Sequence, residues 1–444
     1  METYTILIIS NALFAIVLQV LIPRRRHTIL LVCASIALVL INQTVDLTSF
    51  LGTLPFDVVL LLFGLTVFGE FIFDSNIFDW LLKQIAILCK GKLHLIIIMF
   101  NIIIFLVSSI LNNYQALLLM IPPLISLLKL INGLNQRYLV ILFSSVLIIS
   151  NLAGCSTPIG DFPALFLLSK GEISFASYFA NTTPFAVLAA IVIIISATTF
   201  YNLKPIDISP ESEKLSVAYT VKIYRNIQIH WVLLIPSTVV FSLMFICWLK
   251  GFNPTIVSLI GLSILALIVG LGKYSERKIT NVDASVFIYF ISLFIIIASI
   301  QQTGILERIG EFLQLIRNPL ALILVFSLTV MLITGFVSAG PSTVAFFPIV
   351  KVIQDSFPEN MAITCFCLSI CAGSSLFLTA ATAGPLLTRL TEKEKLTIEK
   401  EEFIFSFKYY LMPGVIGAIV IFFSNILYIF LSLIHISEPT RLRC

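Results

Sequence analysis

Residues 150–163 read SNLAGCSTPIGDFP, a polar stretch with glycine and proline that interrupts an otherwise apolar run. The segment before it, RYLVILFSSVLII (137–149), and the segment after it, ALFLL (164–168), are both strongly hydrophobic. A helix cannot pass through glycine and proline residues spaced in this way without losing backbone hydrogen bonds. The stretch therefore predicts a membrane-embedded helix that is broken near its middle.

The composition of the whole chain places it in a lipid bilayer. Of its 444 residues, 59% are hydrophobic and only 11% are charged, whereas soluble domains carry roughly 25% charged residues. Because each span in lipid has to satisfy its own backbone hydrogen bonds, the predicted fold class is an all-α polytopic membrane protein. We read the net charge of +4 as loop charge that sets orientation, and we expect the lipid bilayer, not nucleic acid, as a partner.

Apolar runs long enough to cross the hydrocarbon core recur along the chain. The segments predicted as spans are 4–22, 28–43, 56–74, 138–168, 183–201, 229–249, 254–272, 284–300, 360–388 and 405–430. Two further apolar stretches, 94–128 and 318–353, are too long for one span and too short for two. Each has small or polar residues at its midpoint, so we predict that both are re-entrant hairpins, which enter and leave on the same side.

The distribution of basic residues supports this topology. Lys and Arg favour cytoplasmic loops. Here they cluster near residues 24–26, 83–92, 129–137, 202–228, 273–278 and 389–400. All these segments lie on one side of the membrane only if both long stretches are hairpins, because counting either as one crossing would place later basic loops outside.

The two halves of the sequence resemble each other. Residues 56–81 and 282–313 both have an acidic residue at their second position, continue as an apolar span and end in an amphipathic segment. In each half, a predicted hairpin and a span rich in Gly, Ser and Thr follow. Since the two halves would cross the membrane in opposite directions, we predict an inverted-topology repeat, which is typical of secondary transporters. The predicted divisions are N-terminal helices at 1–43, a first repeat at 44–203, a cytoplasmic loop at 204–228, a second repeat at 229–430 and a tail at 431–444.

The tail requires a separate interpretation. Residues 431–441 read LSLIHISEPTR, which resembles one reading frame of a transposase adapter used in DNA library preparation. We therefore interpret residues 431–444 as artefactual. A polar tail that follows the last span is the alternative.

Small and polar residues gather at the hairpin midpoints and at the two broken spans. Half-helix ends and neutral oxygens of this kind suit a hard cation or a small anion. Close packing of membrane helices is the alternative for any single Ser or Thr. The residues predicted to contact an ion or substrate are Asn112, Asn113, Ser156, Thr157, Gly160, Asp161, Ser338, Ser342, Thr343, Ser375, Thr379 and Thr382.

Asp161 stands apart in this set because an ionisable group inside a span is by default a functional hypothesis. The alternative is a position at the membrane surface. We expect the carbonyl groups freed at the break, with Ser156 and Thr157, to hold a coupling cation beside Asn113, and Asp161 to be its counter-charge or a proton carrier that competes with it. No resident cofactor is expected, only Na⁺ or H⁺ as a coupling ion. The spacing of Cys365, Cys367 and Cys371 does not place three sulfurs on one helical face, so no metal site is expected.

Two motifs carry a resemblance to a known superfamily. SNLAGCSTPIGDFP (150–163) and SSILNNYQALLLMIPP (108–123) resemble motifs of the ion transporter superfamily, in its arsenite-efflux and sodium/proton antiporter branch with a citrate transporter-like domain. The resemblance covers roughly residues 28–430. Ser338-Ala339-Gly340-Pro341 and Ala164 depart from the family pattern, since asparagine is common at both places, and this leaves the coupling ion and the substrate open.

The resemblance implies a gradient-driven secondary transporter that moves a small ion or anion by alternating access, coupled to sodium or protons. Arsenite efflux and dicarboxylate or sulfate symport are the alternatives within transport, and an ion channel or an intramembrane enzyme is the alternative of another class. We do not expect an enzyme, because no histidine lies deep enough to pair with these serines. The expected location is the bacterial inner (plasma) membrane, and the sequence leaves a homodimer open.

Overall fold

The chain is almost entirely helical in the structure, which is a computed structural model. The residues that it describes are 2–21, 26–129, 135–203, 218, 221–222, 227–270, 284–358, 360–381, 383–398 and 401–437. Leu396–Ile398 (β1) and Glu401–Phe403 (β2) form a short antiparallel pair.

The first half of the chain forms helices that run from the N-terminus to the predicted central loop. They are α1 (Glu2–Leu21), α2 (Arg26–Ile41), α3 (Leu47–Gly52), α4 (Phe56–Phe73), α5 (Ile77–Cys89), α6 (Leu93–Ser108), α7 (Asn113–Leu128), α8 (Gln136–Ser156), α9 (Phe162–Ser169) and α10 (Phe175–Asn202). The span predicted at 183–201 begins earlier than expected, because Pro184 lies inside α10 and does not start it.

The second half forms a corresponding series. Its helices are α11 (Trp231–Leu249), α12 (Pro254–Gly270), α13 (Ala284–Gln301), α14 (Ile305–Gln314), α15 (Pro319–Val337), α16 (Ala339–Gln354), α17 (Met361–Ser374), α18 (Gly384–Lys393) and α19 (Phe407–Ser437). Residues 431–437 continue the last helix, and 438–444 lie outside the described residues. Most of the predicted 204–228 loop lies outside them as well.

Helices suited to a bilayer dominate both halves. Among the described residues, six helices are long and apolar enough to cross a membrane: α4, α8, α10, α11, α15 and α19. Several shorter apolar helices accompany them. Large hydrophobic side chains such as Val232, Leu243 and Ile260 are exposed on α11 and α12, as expected for surfaces that face lipid. The all-α polytopic fold class is confirmed.

Both predicted hairpins are pairs of packed helices. In the first, α6 turns into α7 between Ser109 and Asn112. In the second, α15 turns into α16 at Ser338, whose φ of +86° lies in the region that side chains avoid. Helices α6 and α7 have 16 residues each, or about 24 Å. They are therefore shorter than the hydrocarbon core, which is about 30 Å thick.

Both predicted helix breaks are present. The first separates α8 from α9 at residues 157–161, and the second separates α17 from α18 at residues 375–383. The two helices that lead into the breaks form the centre of the molecule, because every residue of α17 is buried and α8 is 89% buried over its apolar window. The hairpins and the long helices α10 and α19 pack around them.

The order of elements is the same in both halves. A span (α4 or α13), an amphipathic helix (α5 or α14), a hairpin, a broken helix and a long helix follow one another. The opposite membrane orientation of the two halves, and the domain divisions drawn from it, remain predictions.

Candidate functional site

The tip of the first hairpin packs directly against α8. The hydroxyl of Ser108 donates a hydrogen bond to the carbonyl oxygen of Ser150 at 2.8 Å. The side-chain amide of Asn113 donates to the Oδ1 atom of Asn151 at 3.1 Å. Asn112 has a different role, since its Oδ1 atom accepts the backbone N–H of Tyr114 and caps α7. Of the two predicted asparagines, only Asn113 therefore reaches α8 with its side chain.

Glycine at position 160 permits this close contact. A Cβ atom added at Gly160 would lie 2.7 Å from the carbonyl oxygen of Gly154 and 2.9 Å from that of Ser108. Both neighbours are backbone atoms that cannot rotate away. The hydroxyl of Thr157 adds a hydrogen bond to the carbonyl oxygen of Ser109 at 2.6 Å. The break in α8–α9 thus lies on the tip of the first hairpin, as the sequence predicts.

Asn151 joins this tip to the second helix break. Its side-chain amide lies 3.4 Å from the hydroxyl of Ser375 and 3.5 Å from the carbonyl oxygen of Ser374. Asn113 Oδ1 is buried and accepts no hydrogen bond. Neutral oxygen and amide groups from the first hairpin, α8 and the end of α17 therefore meet in one buried cluster. We call Asn113, Asn151 and Ser375 the asparagine cluster.

Asn151 was missing from the predicted set. The sequence does carry a signal for it, because an amide side chain within an apolar span has to find a polar partner. The predicted set includes the asparagines of the hairpin tip, Asn112 and Asn113, but not the one within α8.

Hydroxyl groups from the long helices meet the carbonyl groups left free at the breaks. Tyr178 on α10 donates to the carbonyl oxygen of Cys155 at 2.8 Å, and Thr183 donates to that of Ser156 at 2.7 Å. At the second break, Tyr410 on α19 donates to the carbonyl oxygen of Ser375 at 2.7 Å. Helix ends in a dry interior need such donors, so these hydrogen bonds help to keep the breaks open. The sequence did not reveal either tyrosine.

Asp161 is buried, with 5% of its surface exposed. The depth of Asp161 in the membrane stays a prediction. Its Oδ1 atom accepts the backbone N–H of Phe162 at 2.8 Å and caps the start of α9. The small pocket at Asp161 is lined by Cys155, Pro163, Ala164, Tyr178, Cys367 and Cys371.

Asn113 does not line that pocket. The prediction that one cation lies beside both Asp161 and Asn113 stays a prediction. A Cβ atom added at Gly154 would lie 3.0 Å from Cβ of Asp161, so Asp161 packs against α8 and also borders Tyr178 of α10 and Cys367 of α17.

The cysteines at this pocket come from two helices. Cys367 and Cys371 are one helical turn apart on α17, and Cys155 comes from α8, whereas Cys365 does not line the pocket. Cys155 Sγ lies 3.5 Å from the carbonyl oxygen of Cys367. Within the described part of the chain, no group of three or more His, Cys, Asp or Glu residues is arranged to hold a metal ion.

The second hairpin tip carries buried hydroxyl groups. Ser338 and Ser342 are buried, and neither hydroxyl has a hydrogen-bond partner. Thr343 donates to the carbonyl oxygen of Ala339 in its own helix at 2.7 Å. A Cβ atom at Gly340 would lie 4.0 Å from Phe162. This tip therefore lies against the start of α9, at the residue that follows Asp161.

The remaining predicted residues are less central. The hydroxyl of Ser156 donates within α8 to the carbonyl oxygen of Ala153. Thr379 is half-buried in the second break, and Thr382 lies outside the described residues. That Ser156, Thr379 and Thr382 contact an ion stays a prediction.

The sequence of this chain is similar to those of known proteins. The model of the citrate transporter family matches residues 7–373. The magnetosome protein MamN of Magnetospirillum gryphiswaldense is 24% identical over 74% of this chain and 75% of its own length. An uncharacterized transporter of Synechocystis is 26% identical over 66% of this chain and 64% of its own length. The human P protein is 29% identical over 31% of this chain and 16% of its own length. The family match covers most of the chain and the first helix break, so this multi-pass membrane protein belongs to the citrate transporter family.

Proposed function

We propose that this transporter moves a small anion or inorganic ion by alternating access, and that a sodium or proton gradient drives the movement. The asparagine cluster is the observation that carries the proposal. It brings together the first hairpin tip, the helix that leads into the first break, and the start of the second break. Asn113 Oδ1 has no hydrogen-bond partner there, and a buried acceptor of this kind is stabilised when it contacts a cation.

Asp161 supplies the coupling in this proposal. A buried carboxylate is stabilised by a bound cation or by a proton. Each of the two weakens the binding of the other, because both neutralise the same negative charge. Binding of sodium would then release a proton, and protonation would release sodium. The carboxylate lies at the start of α9, so a change in its charge acts directly on the helix that borders the second hairpin tip.

Interlocking of the two halves supports a coupled movement. The second helix of the first hairpin, α7, packs against α18 from the other half, and α16 packs against α9. Each hairpin is thus held to the half-helix of the opposite half. We infer that the hairpins and broken helices move as one body relative to the remaining spans, and thereby expose the asparagine cluster to each side of the membrane in turn.

A flux assay in proteoliposomes tests the function and the substrate together. The panel contains citrate, a dicarboxylate, sulfate and arsenite, each with an imposed sodium or pH gradient, and sodium/proton exchange without added anion. We expect flux of one class that rises with one of the two gradients. Flux that depends on neither the sodium nor the pH gradient would indicate a channel and would overturn the proposal.

Asp161→Asn tests the coupling role. The amide is nearly isosteric with the carboxyl group and still accepts the N–H of Phe162, so the protein should fold. We expect the dependence of transport on sodium and on pH to disappear. Asp355→Asn is the matched control, because Asp355 is exposed at the end of α16. If the Asp161→Asn protein transports with unchanged dependence on both ions, the carboxylate has only a capping role.

The proposed location of this transporter is a bacterial inner (plasma) membrane. A homodimer stays an open alternative to a monomer. The flux assay also tests the alternatives of arsenite efflux and dicarboxylate or sulfate symport, because its panel contains these solutes. An intramembrane enzyme would instead convert the anion chemically, which analysis of the recovered solute would detect.

A further inference from the structure

A groove on the outside of the molecule is formed by α8, α10 and α19. It has a volume of about 740 Å³, part of which is open to the surroundings. Its walls are mainly apolar and include Ile148, Ile193 and Gly417. The groove lies away from the asparagine cluster and from the pocket at Asp161, so neither the transported ion nor the coupling ion accounts for it.

The floor of the groove depends on a close approach of two helices. A Cβ atom at Gly417 would lie 2.7 Å from Cδ1 of Ile148, so the Ile148 side chain of α8 packs directly on the backbone of α19. Arg137 at the start of α8 and Phe200 near the end of α10 also line the groove.

The end of the groove at Arg137 is basic. The guanidinium group of Arg137 hydrogen-bonds to the carbonyl oxygen of Phe200, which holds it at the end of the groove. Lys408 lies one helical turn before Met412, a lining residue of α19, so both belong to the same helical face. The start of α8, the end of α10 and the start of α19 meet here, on the side that the basic loops predict to be cytoplasmic.

A buried hydroxyl group lies farther inside. Ser144 lines the groove, is buried, and has no hydrogen-bond partner for its Oγ atom. A polar atom without a partner is costly in an apolar wall. An oxygen acceptor in the groove, such as the ester linkage of a lipid, would satisfy this hydroxyl group.

We propose that this groove binds one anionic phospholipid of the surrounding bilayer, with an acyl chain between α8 and α19 and the phosphate on Arg137. A guanidinium group matches a phosphate with a planar fork of N–H donors. Basic pockets between membrane helices on the cytoplasmic side are suited to anionic headgroups, and each buried CH₂ group of the chain adds roughly 0.8 kcal/mol. Because α8 carries Asn151, a lipid seated here contacts the helix that leads into the first break.

Native mass spectrometry of the purified protein tests the proposal. The probes are phosphatidylglycerol and phosphatidylcholine with identical acyl chains, added at equal concentration. We expect the wild-type protein to retain phosphatidylglycerol about tenfold more strongly. Arg137→Gln should remove this preference, and Arg137→Lys should retain part of it, since it keeps the charge but loses the fork. Arg389→Gln, an exposed arginine on α18, is the matched control and should behave as wild type.

A second variant tests binding of the acyl chain in the groove. Ala197→Trp fills the groove from α10 and should lower retention of both lipids, with folding checked by thermal stability. Equal retention of the two lipids by the wild-type protein, or an unchanged preference in Arg137→Gln, would overturn the proposal. A failure of ion transport in proteoliposomes would leave this result unaffected, so the two proposals are tested separately.

Discussion

Tyr178 and Tyr410 hold equivalent places in the two halves of the chain. Each lies on the long helix that follows a broken helix, and each donates its hydroxyl to a carbonyl group at the end of that broken helix, at 2.8 Å and 2.7 Å. Both tyrosines are fully buried. The long helices therefore do more than cover the core, because they satisfy the backbone atoms that the breaks leave free.

Removing either hydroxyl should weaken the break next to it. For Tyr178→Phe and Tyr410→Phe we expect a loss of about 1–2 kcal/mol in unfolding free energy, because a buried carbonyl group loses its partner. Transport should also fall. Tyr138→Phe removes a similar bond, to the carbonyl oxygen of Leu93, away from the breaks. Thermal unfolding and flux should show that this control loses stability while its transport persists.

Gly160 should not tolerate a side chain. Gly160→Ala would place a methyl group against two backbone carbonyl groups at 2.7 Å and 2.9 Å, so we expect a loss of about 2 kcal/mol or more and little transport. At Gly52 a Cβ atom would meet nothing within 4 Å, which makes Gly52→Ala the control. Yield of folded protein and flux measure the effect, and normal transport by Gly160→Ala would show that the tip and the break can separate.

Asn151→Ala should separate a transport effect from a stability effect. We expect transport to fall by at least about tenfold, because the variant disconnects Asn113 from the second break. Asn425→Ala is the control, since Asn425 also bridges helices, with bonds to the carbonyl oxygen of Cys365 and the hydroxyl of Ser369. Both variants should lose similar stability. Equal flux in the two proteins would show that Asn151 only supports packing.

Two ion pairs test the inverted topology. Lys129 pairs with Glu394 at 3.4 Å, and Lys351 pairs with Glu172 at 2.6 Å. Each pair joins the end of one hairpin to the segment after the half-helix of the opposite half. The basic loops predict that the first pair faces the cytoplasm and the second faces outward.

Cysteine labelling checks that prediction. A membrane-impermeant maleimide should modify Lys351→Cys in intact cells and Lys129→Cys only in inverted vesicles. The native cysteines within the described residues are buried or partly buried, so their labelling should be weak, and the unmodified protein is the control. Modification of both variants from the same side would contradict the inverted arrangement of the two halves.

Much of the fold was predictable from sequence because the bilayer imposes simple rules. Apolar length predicted the spans, Gly and Pro predicted the break at 154–163, and the polar midpoints of 94–128 and 318–353 predicted helical hairpins. These features depend on local backbone chemistry. The structure contains the break and both helical hairpins, and six of its described helices are long and apolar enough to cross a membrane. Residue type also indicated that Asn113 and Gly160 lie where the hairpin and the break meet.

Tertiary structure alone decided which groups meet across the core. Asn151 and Ser375 are 224 positions apart, and no local pattern shows that the ends of two broken helices share one amide. Asp161 caps α9 and borders a pocket with Tyr178 and Cys367, and no local pattern in the sequence shows these distant neighbours. The sequence by itself determined where helices form and break, since backbone hydrogen bonds in lipid are a local requirement. Packing of distant helices determined which polar groups the breaks present to one another, because each buried group takes the partner that the fold brings within reach.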